Sequence, residues 1–202
     1  MADHGSALAS SAQTRPGYRY VPSFLAADQA HALLQALAVT ANWQQETFRI
    51  YGRTVPVPRS VAWWGDAGLN YRYTGVDHPC LGWAPMLLPL RDRLAELLGW
   101  QPNLVLVNRY RDGRDYMGYH TDDELGHGPW VASISLGAPR RFLIRAGGVS
   151  HSPRPIADAL TLGHGSLLVL RGDLPHALPR TARPVGERIN LTFRRLGNRV
   201  RV

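Results

Sequence analysis

The chain has 202 residues and a mass of 22.4 kDa, enough for one well-buried domain and short for two. Its 45% hydrophobic and 19% charged residues make an ordinary globular composition, with no apolar run near the ~20 residues of a membrane span and no basic-then-apolar leader at the N-terminus. Cys80 is the single cysteine, which excludes an intrachain disulfide and suits a reducing cytoplasm; all 23 basic residues are Arg, which excludes lysine Schiff-base chemistry, and the net charge of +8 favours a polyanionic partner.

In chain order, residues 1–16 read as a disordered tail and residues 17–202 as a single domain. Tyr18 to Val21 predicts a short strand, and Ala26 to Leu37 a helix with Leu33, Leu34 and Leu37 in helical spacing. Thr47 to Tyr51 and Thr54 to Val57 flank Gly52-Arg53, the pattern of a hairpin with Tyr51 at its tip. Trp63 and Trp64 are adjacent and face opposite ways in a strand, and Tyr71 and Tyr73 alternate on one face of another. A second helix is predicted over Trp83 to Leu98. Beyond residue 100 the pattern is β: Leu104 to Tyr110, Trp130 to Leu136, Arg141 to Arg145, Ile156 to Leu162, Ser166 to Leu170 and Arg188 to Arg195, separated by Gly, Pro and Asp turns. Such a series implies a sandwich or barrel, and two helices ahead of it would cover one outer face, giving an α+β, mainly β protein. No internal repeat is present.

The chemistry starts at His120-Thr121-Asp122. In an extended chain residues i and i+2 point the same way about 7 Å apart, so His120 and Asp122 reach one ion from one side and a third ligand must come from another strand. Two imidazoles and one carboxylate hold a ferrous ion on one face and leave positions open for a co-substrate and dioxygen; with His176 downstream, this is the ligand set of a non-haem iron oxygenase. The triplet alone is a weak signal in a chain with eight His. The C-terminal strand adds to it, because Ile189, Leu191 and Phe193 share one face while Arg188, Asn190, Thr192 and Arg194 share the other. That polar face is either wet, or an inward surface whose two Arg grip a small dianion from both ends. Coupled to the triad, the dianion reading is preferred.

Five stretches then occur in a telling order: Asn108-Arg109-Tyr110-Arg111-Asp112-Gly113, Met117-Gly118-Tyr119-His120-Thr121-Asp122-Asp123-Glu124, Ala132-Ser133-Ile134-Ser135-Leu136-Gly137-Ala138, His164-Gly165-Ser166-Leu167-Leu168 and Arg188-Ile189-Asn190-Leu191-Thr192-Phe193-Arg194. In these the chain resembles the AlkB-type iron and 2-oxoglutarate dependent dioxygenases that dealkylate nucleic-acid bases. A looser match reaches back to Val57-Pro58-Arg59 and Gly65-Asp66-Ala67-Gly68. The resemblance implies a jelly-roll core, the double-stranded β-helix, over residues 104–195, preceded by an N-terminal extension, 17–103, that carries the nucleotide-recognition region. It implies Fe(II) bound by His120, Asp122 and His176, with 2-oxoglutarate chelating it through the keto acid end. Arg188 and Tyr110 would hold the distal carboxylate, Asn108 and Arg194 would lie by the carboxylate at the metal, and Asn190 and Thr192 would line the same pocket. In the implied reaction O2 is split, 2-oxoglutarate leaves as succinate and carbon dioxide, and a hydroxylated N-alkyl group falls away as formaldehyde. Of the remaining His, His164 is expected to be structural, His127 and His151 solvated, and His78, His31 and His4 lack a partner motif; Cys80 reads as a small buried side chain.

An enzyme acting on a base must extract it from the stack and hold it between flat side chains. Tyr71 and Tyr73 would line one wall, with the His120 ring as a possible opposing surface; the competing reading is an aromatic strand in the core. Tyr51, between Arg49 and Arg53, is placed like the finger residue that similar enzymes insert into the gap left by a flipped base. Glu124 aligns with an acidic residue near the base and would favour cationic lesions such as 1-methyladenine and 3-methylcytosine, while Arg195, Arg199 and Arg201 add a basic tail. The expected function is direct-reversal repair of N-alkylated bases in DNA, performed by a monomer in a bacterial cytoplasm at the nucleoid, with no membrane involved. RNA or protein side chains are alternative substrates for the same chemistry, and a non-catalytic nucleic-acid binding module is the alternative from another class.

Overall fold

The computed structural model describes residues 12–50, 52–73, 76–122, 129–145 and 156–197. Strands β1 (Gln13–Arg15) and β2 (Tyr18–Val21) lead into helix α1 (Ala27–Thr40). A hairpin of β3 (Thr47–Ile50) and β4 (Arg53–Pro56) follows, then β5 (Ser60–Gly65) and a second hairpin of β6 (Asn70–Tyr73) and β7 (Val76–Pro79). A 3-10 turn, Pro85–Leu87, runs into α2 (Leu88–Leu98). The remaining strands are β8 (Leu104–Tyr110), β9 (Met117–His120), β10 (Trp130–Gly137), β11 (Arg140–Arg145), β12 (Ile156–Leu162), β13 (Ser166–Arg171), β14 (His176–Leu178) and β15 (Arg188–Arg194).

These last strands form a jelly roll. One sheet has seven strands in the order β1-β2-β13-β10-β15-β8-β5, and the facing sheet has four in the order β12-β11-β14-β9. The ladders are antiparallel, so each strand places alternate residues on opposite faces. The seven-stranded sheet is covered on both sides. Its outer face carries Ile134, Ile189, Leu191 and Phe193, packed with Leu37 of α1 and Leu90 and Leu94 of α2. Its inner face joins the four-stranded sheet through Tyr110, Val131, Phe142, Ile144, Leu168 and Leu170. Double coverage explains why every residue of β15 is buried although four of the seven are polar.

Local signals fix several boundaries. Ala84, ahead of Pro85, is held extended at ψ 132, so the helix expected from Trp83 starts only at Leu88. It ends at Gly99, whose φ of 73 and N–H bond to the Ala95 carbonyl form a left-handed cap. Gly137 closes β10 at φ 85, where an added Cβ would collide with the Glu187 carbonyl oxygen.

Two expectations about organisation need correction. The tail was expected to run to residue 16, yet Gln13–Arg15 pair with Tyr18–Tyr20, because Gly17 at positive φ turns the chain back on itself. Residue 104 is not a structural boundary, since β2 and β5 from the preceding region extend the same sheet on its two sides. The short strands β7, β9 and β14 carry too few residues for an alternating pattern to declare them.

Candidate active site

The three expected ligands meet between the sheets. His120 ends β9 and His176 begins β14, and the two are cross-strand partners with ring centroids 4.2 Å apart. Asp122 lies in the loop after β9, where its N–H donates to the Gly172 carbonyl at 2.7 Å. His120 Nδ1 faces the Gly118 carbonyl at 2.9 Å and His176 Nδ1 faces the Leu174 carbonyl at 2.8 Å. A carbonyl only accepts, so each Nδ1 carries the proton and each Nε2 turns a lone pair inward. Those Nε2 atoms stand 3.9 and 3.7 Å from the two Asp122 oxygens, and the three donor groups lie within 4.8 Å of one another. Burial, then the neighbouring His176, pushes the His120 imidazole down to about 4. It is therefore neutral at pH 7, the state a metal ligand requires.

A cavity of about 230 Å³ opens from this triad, and Asn108, Tyr110, Arg188, Asn190, Thr192 and Arg194 all line it. Arg194 is 4% exposed, donates to Asp122 Oδ1 at 2.6 Å through Nη2 and to Tyr71 Oη at 3.0 Å through Nη1, and so fixes the carboxylate. Arg188 differs from it. Its Nη2 donates to Ser135 Oγ at 2.9 Å and its guanidinium lies 5.3 Å from the Tyr110 ring centre, but its buried Nε has no acceptor and no acidic partner is found for it among the described residues. Burial pushes Arg188 down to about 10, with Tyr110 opposing and the charge of Arg140 adding to the shift. A buried cation that stays charged without a counter-ion is costly unless an anion arrives.

The residues therefore fit the cofactors they were expected to hold. One end offers the nitrogen and oxygen donors of a facial iron site, the other a guanidinium in want of a carboxylate, and Leu106, Val131 and Leu168 form apolar wall between them. Asn190 Nδ2 donates to Ser133 Oγ at 2.7 Å, and Thr192 Oγ1 donates to Asn190 Oδ1 at 3.1 Å, so this stretch is internally satisfied.

Other expected residues fall elsewhere. Tyr71 is 2% exposed in a small core with Val61, Cys80, Leu104 and Leu106, so it supports Arg194 from behind and does not face the cavity as a wall for a base. Burial of Tyr71 in that core overrode the expectation. Tyr73 lies on β6 opposite Val76. Tyr51 and Glu124, like His4, His127, His151, Arg199 and Arg201, are outside the described residues. His164 is structural as expected, its Nδ1 accepting from the Gly137 N–H at 2.9 Å, and Cys80 is buried.

Several working residues escaped the sequence reading. Ser133 and Ser135 stand opposite Thr192 and Asn190 in the ladder, a polar alternation on β10 that was available as a signal. Arg140, only 1% exposed, donates to the carbonyls of Asp112, Asp115 and Pro179 and braces the loop behind Tyr110; it shares an inward face with Phe142 and Ile144. Arg59 Nε donates to Asn108 Oδ1 at 2.8 Å. His78, without a sequence partner, sits 3.3 Å from Glu46.

Comparison with known proteins agrees with this geometry. Residues 17–194 match the 2OG-Fe(II) oxygenase superfamily. The chain is 41% identical over 157 residues to DNA oxidative demethylase ALKBH2 of Mus musculus, covering 73% of this chain and 66% of that protein, and 40% identical to its Homo sapiens counterpart, covering 73% and 60%. It is 34% identical to alpha-ketoglutarate-dependent dioxygenase alkB homolog 3 of Homo sapiens, covering 86% and 64%. The chain thus spans less than two thirds of the length of each of these relatives. A crystal structure of a 2OG-Fe(II) oxygenase family oxidoreductase from Burkholderia pseudomallei superposes with a TM-score of 0.59 at 17% identity, over 92% of this chain and 89% of that one, and supports the fold.

Proposed function

Because the chain belongs to the 2OG-Fe(II) oxygenase superfamily, with AlkB-type relatives, we propose that it removes alkyl groups oxidatively from the nitrogens of DNA bases. The observation that carries the chemistry is the convergence on one cavity of His120, Asp122 and His176 with Arg188, a buried cation that has no acidic partner among the described residues. The DNA substrate is supported by the relatives named DNA oxidative demethylase and by a net charge of +8.

Bound iron and 2-oxoglutarate supply the oxidising power that splits O2, with succinate and carbon dioxide released and one oxygen atom passed to the N-alkyl carbon. The protein's part is positioning and exclusion of water. His120, Asp122 and His176 would hold the iron, each His oriented by its carbonyl. Arg194 keeps the Asp122 carboxylate aimed, and Tyr71 keeps Arg194 in place. Arg188, with Tyr110 beside it and Ser135 bracing it, would take the distal carboxylate, and Asn108, Asn190 and Thr192 would line the path between. Apolar side chains such as Phe142 and Leu178 keep bulk water from the reacting carbon. The C–N bond of the N-hydroxymethyl product then breaks: its electron pair returns to the ring nitrogen, the carbon leaves as formaldehyde, and for a cationic lesion the hydroxyl proton is lost to solvent.

For substrate capture the reading rests on sequence: Tyr73 and the His120 ring as stacking surfaces, Tyr51 as the finger entering a duplex, and Glu124 near a cationic base. The site of action is proposed to be the nucleoid, with the protein working as a monomer. The test is mass spectrometry of DNA and RNA oligonucleotides carrying 1-methyladenine or 3-methylcytosine after incubation with the protein, Fe(II), 2-oxoglutarate and air. Conversion of the DNA to the unmethylated base is expected. Succinate released with the DNA left methylated, while RNA or a peptide is altered, would overturn the DNA assignment.

A further inference from the structure

The two hairpins β3–β4 and β6–β7 belong to neither main sheet; each is a two-stranded sheet of its own. Two isolated strands are marginally stable in water, so something else must hold them. Each is tied to residues that line the cavity. The segment after β4 brings Arg59 onto Asn108, and Tyr71 of β6 accepts from Arg194. The residue that joins the hairpins is one that the chemistry does not use. His78 of β7 is 7% exposed and opposes Tyr71 in the ladder, and its Nε2 lies 3.3 Å from Oε1 of Glu46, the residue immediately before β3.

Glu46 sits where the first hairpin closes. Its carbonyl accepts from the Val57 N–H at 2.8 Å, and neighbouring Gln45 donates through Nε2 to the Val57 and Arg59 carbonyls at 2.6 and 3.1 Å. The second carboxylate oxygen of Glu46 is buried and accepts no hydrogen bond among the described residues. His78, 3.3 Å from the first oxygen, is a close polar neighbour of this buried carboxyl group. Its ring is in turn set by the Trp63 indole, edge-on at 4.4 Å, and Trp63 Nε1 donates to the Pro79 carbonyl at 3.2 Å.

We propose that Glu46 and His78 are a clasp that ties the two hairpins into one wall beside the metal end of the cavity, making His78 a positioning residue for the nucleic-acid strand. The role in strand positioning rests on the DNA reading above; the clasp itself does not. His78 Nε2 is buried and makes no hydrogen bond of good geometry among the described residues, so the tie to Glu46 is a 3.3 Å approach of ring nitrogen to carboxylate oxygen, strengthened by the low dielectric around it. With the clasp closed, the hairpin predicted to carry the finger keeps a fixed distance from the hairpin that supports Tyr71 and Arg194.

The test is amide hydrogen exchange on the full chain, comparing wild type with His78→Leu, His78→Gln, Glu46→Ala and the double variant His78→Leu/Glu46→Ala. The clasp predicts that His78→Leu speeds exchange in residues 47–56, a hairpin to which it does not belong, and that Glu46→Ala does the same in 70–79. The double variant should exchange no faster than either single one, and His78→Gln, which keeps a side-chain donor, should stay near wild type. Loosening confined to the hairpin that bears the substitution would overturn the clasp. For positioning, His78→Leu should raise the KM for a methylated DNA oligonucleotide about fivefold with kcat within about twofold, and His78→Gln should restore it. An unchanged KM in a protein that dealkylates DNA would overturn positioning. If the wild type alters no oligonucleotide at all, the DNA reading fails, and exchange still judges the clasp.

Discussion

The cavity between the sheets and the pair of hairpins beside it are built on opposite principles. In the cavity, β8, β10 and β15 are each flanked by other strands, and Asn108, Tyr110, Arg188, Asn190, Thr192 and Arg194 are placed by the two-residue period of ladders that cannot slip without turning apolar groups inside out. In the hairpins, β4 is exposed along its whole length and position depends on a few side-chain ties such as Glu46 to His78 and Tyr71 to Arg194. The difference teaches that the cavity's geometry is set largely by backbone register, while the hairpins proposed to carry recognition are held by a few ties that can be adjusted without disturbing it.

The contrast breaks most severely at Asp122. Asp122→Ala removes a proposed metal ligand and leaves Arg194 buried without its carboxylate, so succinate production should fall to background and urea unfolding should show a loss of about 3 kcal/mol. Asp122→Asn should lose the activity with less of the stability. A paired measurement of packing comes next. Phe193→Ala, at 0% exposure and stacked on Trp83, should cost about 3 to 5 kcal/mol, whereas Val55→Ala on β4, at 36% exposure, should stay within about 0.5 kcal/mol. Comparable costs would erase the distinction between the regions.

The smallest effect concerns Cys80, packed behind the second hairpin. Burial, then Asp66, pushes its thiol from 9.0 up to about 11, so it should resist alkylation by iodoacetamide at pH 8 in the folded protein and react after unfolding. Because the folded value is the higher one, its contribution to stability is fully present below about 9 and is lost as the pH rises from there to 11. Rapid labelling of the native protein at pH 8 would show that the base of β7 opens freely.

What was legible in the sequence follows the same division. Long strands with strict alternation, such as Arg188–Arg194, announced both their span and the direction of each side chain, whereas His120 and Asp122 were legible from their i, i+2 spacing and residue types, β9 being too short to announce itself. The short β14 was not visible, and His176 was placed by its residue type and by family likeness, since a three-residue strand carries no period. Arg140 was missed because β11 was started one residue late, which hid its inward phase. Tyr71 was misjudged because alternation tells which residues share a face but not whether that face meets a cavity or a core. The Glu46 and His78 pair joins residues far apart in sequence through side chains alone, a contact that no local pattern encodes.

The central claim is that one cavity grips a keto-diacid between a metal triad and Arg188. Calorimetric titration of 2-oxoglutarate under anaerobic conditions, with and without Fe(II), into wild type and Arg188→Met tests it directly. The account predicts one equivalent bound in a metal-dependent way by wild type, and affinity about 100-fold weaker in Arg188→Met with iron binding intact. Equal 2-oxoglutarate affinity in the two proteins, or binding indifferent to the metal, would contradict it.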